Sequence, residues 1–283
     1  PHSVAELAAW RQANHTTMEE ARSRLVQFVV LASIASSREL VNRLALKGGN
    51  ALHFVHGNTR STLDLDFTAE TDFPDNADEI RTLFDRALRG TDRRFQVKTR
   101  CQSVNRNPKR SEATCPTYTI KICFQLPLDR YYQNFDERKY FAEVVELEIS
   151  LNDTLCETFL EQLSPATILI RVCSLEDILA EKLRALLQQT IRNRNRPQDV
   201  YDIASRVRDE GATIDVEKVS EFLIQKSKIR QISPRKSSYN DEVRDRARYN
   251  YESEIDVPSE LFIPFDEAWE EVIRFVNRLT IPG

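Results

Sequence analysis

Apolar positions fall at helical spacing along much of this chain and alternate with polar ones in the rest. From Met18 to Leu40 they recur at helical spacing, Leu25, Phe28, Val29 and Ala32 among them. Thr17 with Glu20 forms a capping box ahead of them, so a helix is predicted over 17–40, behind a shorter one over 4–12. "RLAL" predicts a short strand that ends at Lys47, and "NALHFVH" a short helix that begins just after Gly48 and Gly49. "TLDLDF" alternates with period two and reads as a strand. Asn76, with Glu79 completing the box, caps a helix that runs to Gly90. Extended runs follow at 94–104, 117–126 and 140–151, with the polar loop "RNPKRSEATCP" between the first two.

The pattern changes after Pro165. Ser174 caps the amphipathic helix "LEDILAEKLRALLQQT", "IRNRNRP" breaks it, and "QDVYDIASRV" starts another helix behind Pro197. Helices are also predicted over 215–229 and 265–279, whereas 230–260, charged and with two prolines, reads as a mobile connection. The expected class is α+β: a mixed sheet flanked by helices over 1–164, then a mostly helical domain over 165–283.

Composition narrows this picture without changing it. A chain of 283 residues with 41% hydrophobic positions can bury one large core or two ordinary ones. No apolar run reaches membrane-spanning length. A net charge of -4 argues against a wholesale nucleic-acid coat but leaves room for local basic patches. The five cysteines form no CxxC pair, and "PHSVAELAAW" has no basic region followed by an apolar run. The expectation is a cytoplasmic protein with reduced thiols and no zinc site.

The candidate chemistry lies in "LKGGNALHFVHGNTRSTLDLDF", residues 46–67. In a strand, Asp64 and Asp66 share one face, while Leu63, Leu65 and Phe67 share the other. Two neighbouring carboxylates repel each other unless a cation lies between them. Magnesium, which takes one or two carboxylates together with phosphate oxygens, is the expected cation, with manganese as a substitute. Gly48 and Gly49 end a strand and open a helix, so backbone N–H groups there can approach a triphosphate. A glycine pair alone usually marks a tight turn and an isolated DxD an exposed edge, but the two in this order and spacing point to nucleotide chemistry.

"GGN", thirteen residues, then "DLD" resembles the signature of the DNA polymerase β-like nucleotidyltransferase superfamily. "LKGGNAL…RSTLDLDF", with the later "LEDILAEKLRALL…RPQDVYDI", resembles the AbiEii-type toxin nucleotidyltransferases of type IV toxin–antitoxin systems. Asn50 stands where that family usually has Ser or Thr, and its amide can still offer an N–H to a phosphate. The resemblance implies a nucleotidyltransferase fold whose helical domain closes the active-site cleft. It also implies an NTP substrate, a tRNA 3′ end as acceptor for some members, and a cognate antitoxin. It further implies a third catalytic carboxylate, for which Glu148 is the first choice and Glu146 the second. Both are polar positions of "FAEVVELEISL", which otherwise read as solvent-facing.

Lys182 carries a signal of its own: it occupies a position of the stripe Leu175, Ile178, Leu179, Leu183, Leu186 where an apolar residue is predicted. Snorkelling is the plain reading; the resemblance makes it a cation that meets the triphosphate. Arg184, off the stripe, is expected to be solvated. Asp199 and Asp202, three apart on a helix, either complement its dipole or, by resemblance, support the catalytic lysine or the nucleotide, with Asp199 the first choice. Lys47 and Ser61 join Gly48, Gly49 and Asn50 as expected nucleotide contacts, and Arg60 as a partner of a carboxylate. His53 and His56 are expected to be structural. Arg192, Arg194 and Arg196 are expected to meet phosphates of an RNA acceptor. Two other readings stay open: a nucleotidyltransferase acting on a small molecule or a protein, and a non-catalytic binding module.

Overall fold

A computed structural model describes residues 1–55, 62, 64–110, 112–163 and 168–283. In chain order the elements are α1 (Leu7–Ala13), α2 (Met18–Ser36), α3 (Arg38–Val41), β1 (Leu44–Lys47), α4 (Gly48–Phe54), β2 (Leu65–Ala69), α5 (Ala77–Ala87), α6 (Thr91–Phe95), β3 (Lys98–Asn107), β4 (Thr117–Gln125), β5 (Val144–Ser150), β6 (Thr158–Leu163) and β7 (Ile168–Cys173). There follow α7 (Leu175–Leu187), α8 (Gln189–Arg192), α9 (Pro197–Glu210), α10 (Val216–Ile229), α11 (Asp241–Arg248), α12 (Tyr251–Glu254) and α13 (Phe265–Arg278). No described helix is long and apolar enough to cross a membrane.

The chain packs as two compact units that interleave in sequence. The first takes its described residues from 1–47, 62–152 and 160–172, the second from 48–55, 153–159 and 173–283. The expected boundary after 164 falls among residues outside the described set, and strand β7, beyond it, belongs to the sheet.

The first unit is built on a mixed sheet of seven described strands in the order β3-β4-β5-β2-β1-β7-β6. β2 pairs parallel with β5 and antiparallel with β1. β4 runs antiparallel to both β3 and β5, and β1 parallel to β7. Leu46, Leu65, Phe67, Leu147 and Ile149 are fully buried on one side of these central strands. Helix α2 is apolar nearly all round from Leu25 to Ile34 and is buried accordingly. Thr17 caps it as predicted, its hydroxyl accepting from the Glu20 N–H at 3.1 Å. The helix stops at Ser36, because Ser37 adopts extended angles before α3.

Two buried polar side chains on α2 hold the approach to β2. Arg24 and Gln27 donate to the Thr62 carbonyl at 3.3 and 3.1 Å. Arg22, two residues before Arg24, makes a bidentate pair with Asp129 at 2.9 and 2.8 Å and also holds Glu143. It thereby fastens the connection between β4 and β5 to this helix.

In the second unit α7 packs against α9 and α10, and α9 against α13. Ser174 caps α7 by accepting from the Asp177 N–H at 3.2 Å, as its position predicts. The segment 230–260, expected to be a mobile connection, carries α11 and α12. Asn240 caps α11 by accepting from the Val243 N–H.

Candidate active site

Strand register places the first set of residues. Asp66 stands opposite Glu148 on β5 and opposite Lys47 on β1, so Lys47, Asp66 and Glu148 form one row across three adjacent strands. Directly opposed residues project to the same face. Asp64 lies one residue before β2 rather than within it, a correction to the predicted strand. The chain there is drawn toward α2 at the Thr62 carbonyl, so pairing starts only at Leu65.

Asp64 is an exposed residue, yet its carboxyl is raised above the ordinary aspartate value. Lost hydration is the largest cause, and the charges of Glu146 and Glu148 add to it, while Lys121 opposes them. Glu146 is engaged by Lys121 across the β4–β5 ladder at 2.6 Å. That pair separates the two glutamates of "ELE": Glu146 meets a lysine, Glu148 meets Asp66. The buried Lys47 donates to the Ser150 hydroxyl at 3.2 Å.

Among the described residues no group of three or more His, Cys, Asp or Glu side chains is placed to hold a metal ion by itself. The donors present suit a cation that completes its shell elsewhere. Asp64 and Asp66 offer hard oxygens, and the raised Asp64 marks a place where positive charge lowers the free energy. A magnesium ion sharing phosphate oxygens of a substrate fits that donor set.

The second unit holds the glycines and the lysine. Gly48 has φ +69°, a backbone that side-chain-bearing residues rarely adopt, and α4 starts at that residue instead of after the pair. Asn50 is fully buried within it. His53, expected to be structural, packs edge-on against Phe54 at 5.3 Å. Arg60, Ser61 and His56, with Leu63, lie outside the described residues.

Lys182 is buried on α7, with Nζ 2.8 Å from Asp199 Oδ1 and 2.8 Å from Asp202 Oδ2 on α9. The anomaly in the apolar stripe and the Asp pair three apart thus meet in one triad. Asp202 has no exposed side-chain surface, so burial of its charge depends on the lysine.

Arg184, expected to be solvated, is buried and hydrogen-bonds Gln188 one turn on. It neighbours Arg192, whose pKa is lowered first by burial, then by the charges of Arg230, Arg184, Arg194 and Arg196. Buried Gln189 shapes this turn. Its Oε1 accepts from the Arg196 N–H at 2.8 Å, its carbonyl accepts from the Arg194 N–H, and Asn193 takes a left-handed φ of 49°. Sequence reading found Arg192, Arg194 and Arg196 but missed Arg184 and Arg230, which only tertiary packing adds. It also missed Lys121, although "YTIKICF" shows it as the polar position of an alternating strand.

The sequence profile of the family described as nucleotidyl transferase AbiEii toxin, type IV TA system, matches residues 29–271. No curated protein matches the chain in sequence. Among the solved structures that share the fold are the following two. The nucleotidyltransferase toxin MenT4 of Mycobacterium tuberculosis is 18% identical, with a TM-score of 0.60, 97% of this chain covered and 89% of that one. JHP933 of Helicobacter pylori is 14% identical, with a TM-score of 0.53, 92% of this chain covered and 91% of that one.

Proposed function

Because the chain belongs to the AbiEii family of nucleotidyl transferase toxins of type IV toxin–antitoxin systems, and is a nucleotidyltransferase, we propose that it moves an NMP from an NTP to the 3′-terminal hydroxyl of a tRNA. The family implies an antitoxin as its partner. The observation that carries the reading is the row Lys47, Asp66, Glu148 with Asp64 beside it.

Asp64 and Asp66 would hold magnesium, which supplies charge neutralisation at the phosphates and at the departing pyrophosphate. Glu148, beside Asp66, takes the proton of the acceptor hydroxyl as that oxygen bonds to the α-phosphorus and the bond to pyrophosphate breaks. Glu146, already engaged by Lys121, is the weaker candidate for this base. Backbone N–H groups at Gly48, Gly49 and Asn50 hold phosphate oxygens, with Lys47 and Ser61 as further contacts. Lys182, held by Asp199 and Asp202, contributes fixed positive charge in the transition state. Arg192, Arg194 and Arg196, in a group with Arg184 and Arg230, meet acceptor phosphates, which favours RNA over a cationic small molecule.

The test incubates the purified protein with each α-labelled NTP, Mg²⁺ and total tRNA. Label appearing at the 3′ end of tRNA, and lost in Asp66→Ala, is the expected result. Label on protein or small molecules alone, or none with any NTP, overturns it.

A further inference from the structure

The first unit carries an aromatic and cationic surface that the chemistry above does not use. It is the connection between β4 and β5, together with the side chains of β3 that lie against it. Phe135 and Phe141 stack at 4.9 Å and form a small apolar cluster with Cys123, against which Tyr131 packs. The connection is therefore pinned from beneath, and Arg22 ties it to α2.

Its outer side interleaves cations with rings. Arg138 lies 3.8 Å and Arg130 5.2 Å from the Tyr131 centroid and Lys98 4.9 Å from Tyr132, while Arg100 lies 5.2 Å from the buried Phe135 beneath them. A cavity of about 360 Å³ opens beside Lys98, Thr99, Arg100 and Phe135. Of the four carboxylates in residues 127–143, Asp129 and Glu143 are both held by Arg22. Counting Arg22 with Lys98, Arg100, Arg130, Arg138 and Lys139, six cations stand against those four carboxylates, and Asp85, Arg89 and Asp92 also line the cavity, which leaves a small excess of positive charge.

The same connection leads to the carboxylates. β2 and β5 run parallel, so the residues entering β5 and Asp64, entering β2, lie at one end of the sheet. Tyr140, four residues before β5, is 69% exposed, and within β5 Glu146 pairs with Lys121 of β4. A large ring left in water beside a nucleotidyl-transfer site is a stacking platform without its base.

We propose that this connection is the docking surface for the single-stranded 3′ segment of the RNA acceptor, with bases on the exposed Tyr140 and the half-buried Tyr131 and Tyr132 and phosphates on Arg130, Arg138 and Lys139. It rests on the reading of the chain as an RNA nucleotidyltransferase. An acidic protein segment would use the cations but would gain little from the exposed Tyr140 ring, whereas single-stranded RNA uses both.

The test measures binding of a short fluorescein-labelled single-stranded RNA, and of its duplex, by anisotropy with the full chain and no NTP. Tyr140→Ala and the double variant R130E/R138E are expected to weaken single-strand binding about tenfold or more, while Tyr140→Phe, which keeps the ring, binds as wild type. The charge-reversed variant also shows a flatter dependence on salt. Melting curves check that each variant is folded, which the exposure of these positions favours. Unchanged affinity in R130E/R138E overturns the proposal. So does equal weakening by Tyr140→Ala and Tyr140→Phe, and so does displacement of the RNA by polyglutamate with Tyr140→Ala neutral, the sign of a protein-docking face. NMP transfer to the same RNA separates the two readings. Variant-sensitive binding without any transfer keeps the surface and removes the acceptor reading. Transfer with a KM untouched by the variants does the reverse.

Discussion

Lys182 Nζ lies 2.8 Å from Asp202 Oδ2, and no part of that aspartate side chain reaches solvent. With Asp199 at the same distance, one lysine compensates two buried carboxylates. Removing it takes the ammonium away from both carboxylates, with Arg196 still 4.0 Å from Asp199 Oδ2. Lys182→Met is therefore expected to cost about 3–5 kcal/mol of stability as well as transfer activity. Urea denaturation measures the first, and labelled-NTP transfer the second. The triple variant K182M/D199L/D202L, which removes the charges together, is expected to recover most of the stability and none of the activity. A Lys182→Met protein as stable as wild type would show that the triad does not hold the helices in this way.

Asp66 stands between Glu148 and the buried Lys47, so removing its carboxylate relieves repulsion with the first and gives up attraction with the second, two effects that oppose each other. Asp66→Ala is accordingly expected to melt close to the wild-type temperature while transfer falls at least about 100-fold. Added Mg²⁺ is expected to raise the melting temperature of wild type, and to do so less for Asp66→Ala. Retained transfer in this variant would remove Asp66 from the chemistry.

Much of this arrangement was legible in residue order, and the remainder was not for identifiable reasons. The period-two alternation predicted Asp64 and Asp66 on one face, because alternation is a local property of an extended chain. It could not show that Asp64 precedes the paired segment, since the Thr62 carbonyl is held by Arg24 and Gln27 from a helix far away in sequence. Strand register is equally non-local, so the opposition of Asp66 to Glu148 and of Glu146 to Lys121 had to wait for coordinates. Lys182 was visible as a polar residue in an apolar stripe, but its partners were visible only as a spacing. Strand β6 was missed because its side chains are mostly exposed and show no buried alternation. β7 was missed because its short run "ILIRVC" abuts the helix after Ser174. The platform at Tyr131 and Tyr140 escaped because its cations come partly from β3.

The pH dependence of transfer follows from Asp64. Its folded pKa is raised, first by lost hydration and then by Glu146 and Glu148, and Lys121 holds it down. As the proposed metal ligand Asp64 acts ionised, so its raised metal-free pKa is expected to move the acid limb of transfer, read at sub-saturating Mg²⁺, above the ordinary carboxylate range. Lys121→Gln removes the opposing charge and is expected to move that limb to higher pH still. The stability sign is opposite. A raised carboxyl favours the fold below its unfolded pKa, and that contribution is lost as pH rises through the folded one. Asp64→Asn should therefore remove a destabilising contribution at neutral pH while abolishing transfer. Rate profiles of wild type and Lys121→Gln with coincident acid limbs would contradict this assignment.

Lys226 gives the control for the first prediction, because its buried ion pair lies in the same unit and is assigned no chemistry. Its Nζ is 2.7 Å from Asp177 Oδ1 and also donates to the Thr154 carbonyl at 2.7 Å, and lysine and aspartate are almost wholly buried. The other oxygen of Asp177 accepts from the backbone N–H groups of Cys156 and Glu157. Despite burial, the nearby Glu181 and Asp177 raise the pKa of Lys226 and keep it charged. Lys226→Met strands the Asp177 charge and is expected to lower stability by about 3–5 kcal/mol. It should nevertheless leave kcat unchanged at temperatures where the variant is folded, whereas Lys182→Met loses transfer under the same conditions. If both variants lose activity only in proportion to their unfolded fraction, Lys182 is a structural residue and its assigned part in the chemistry falls.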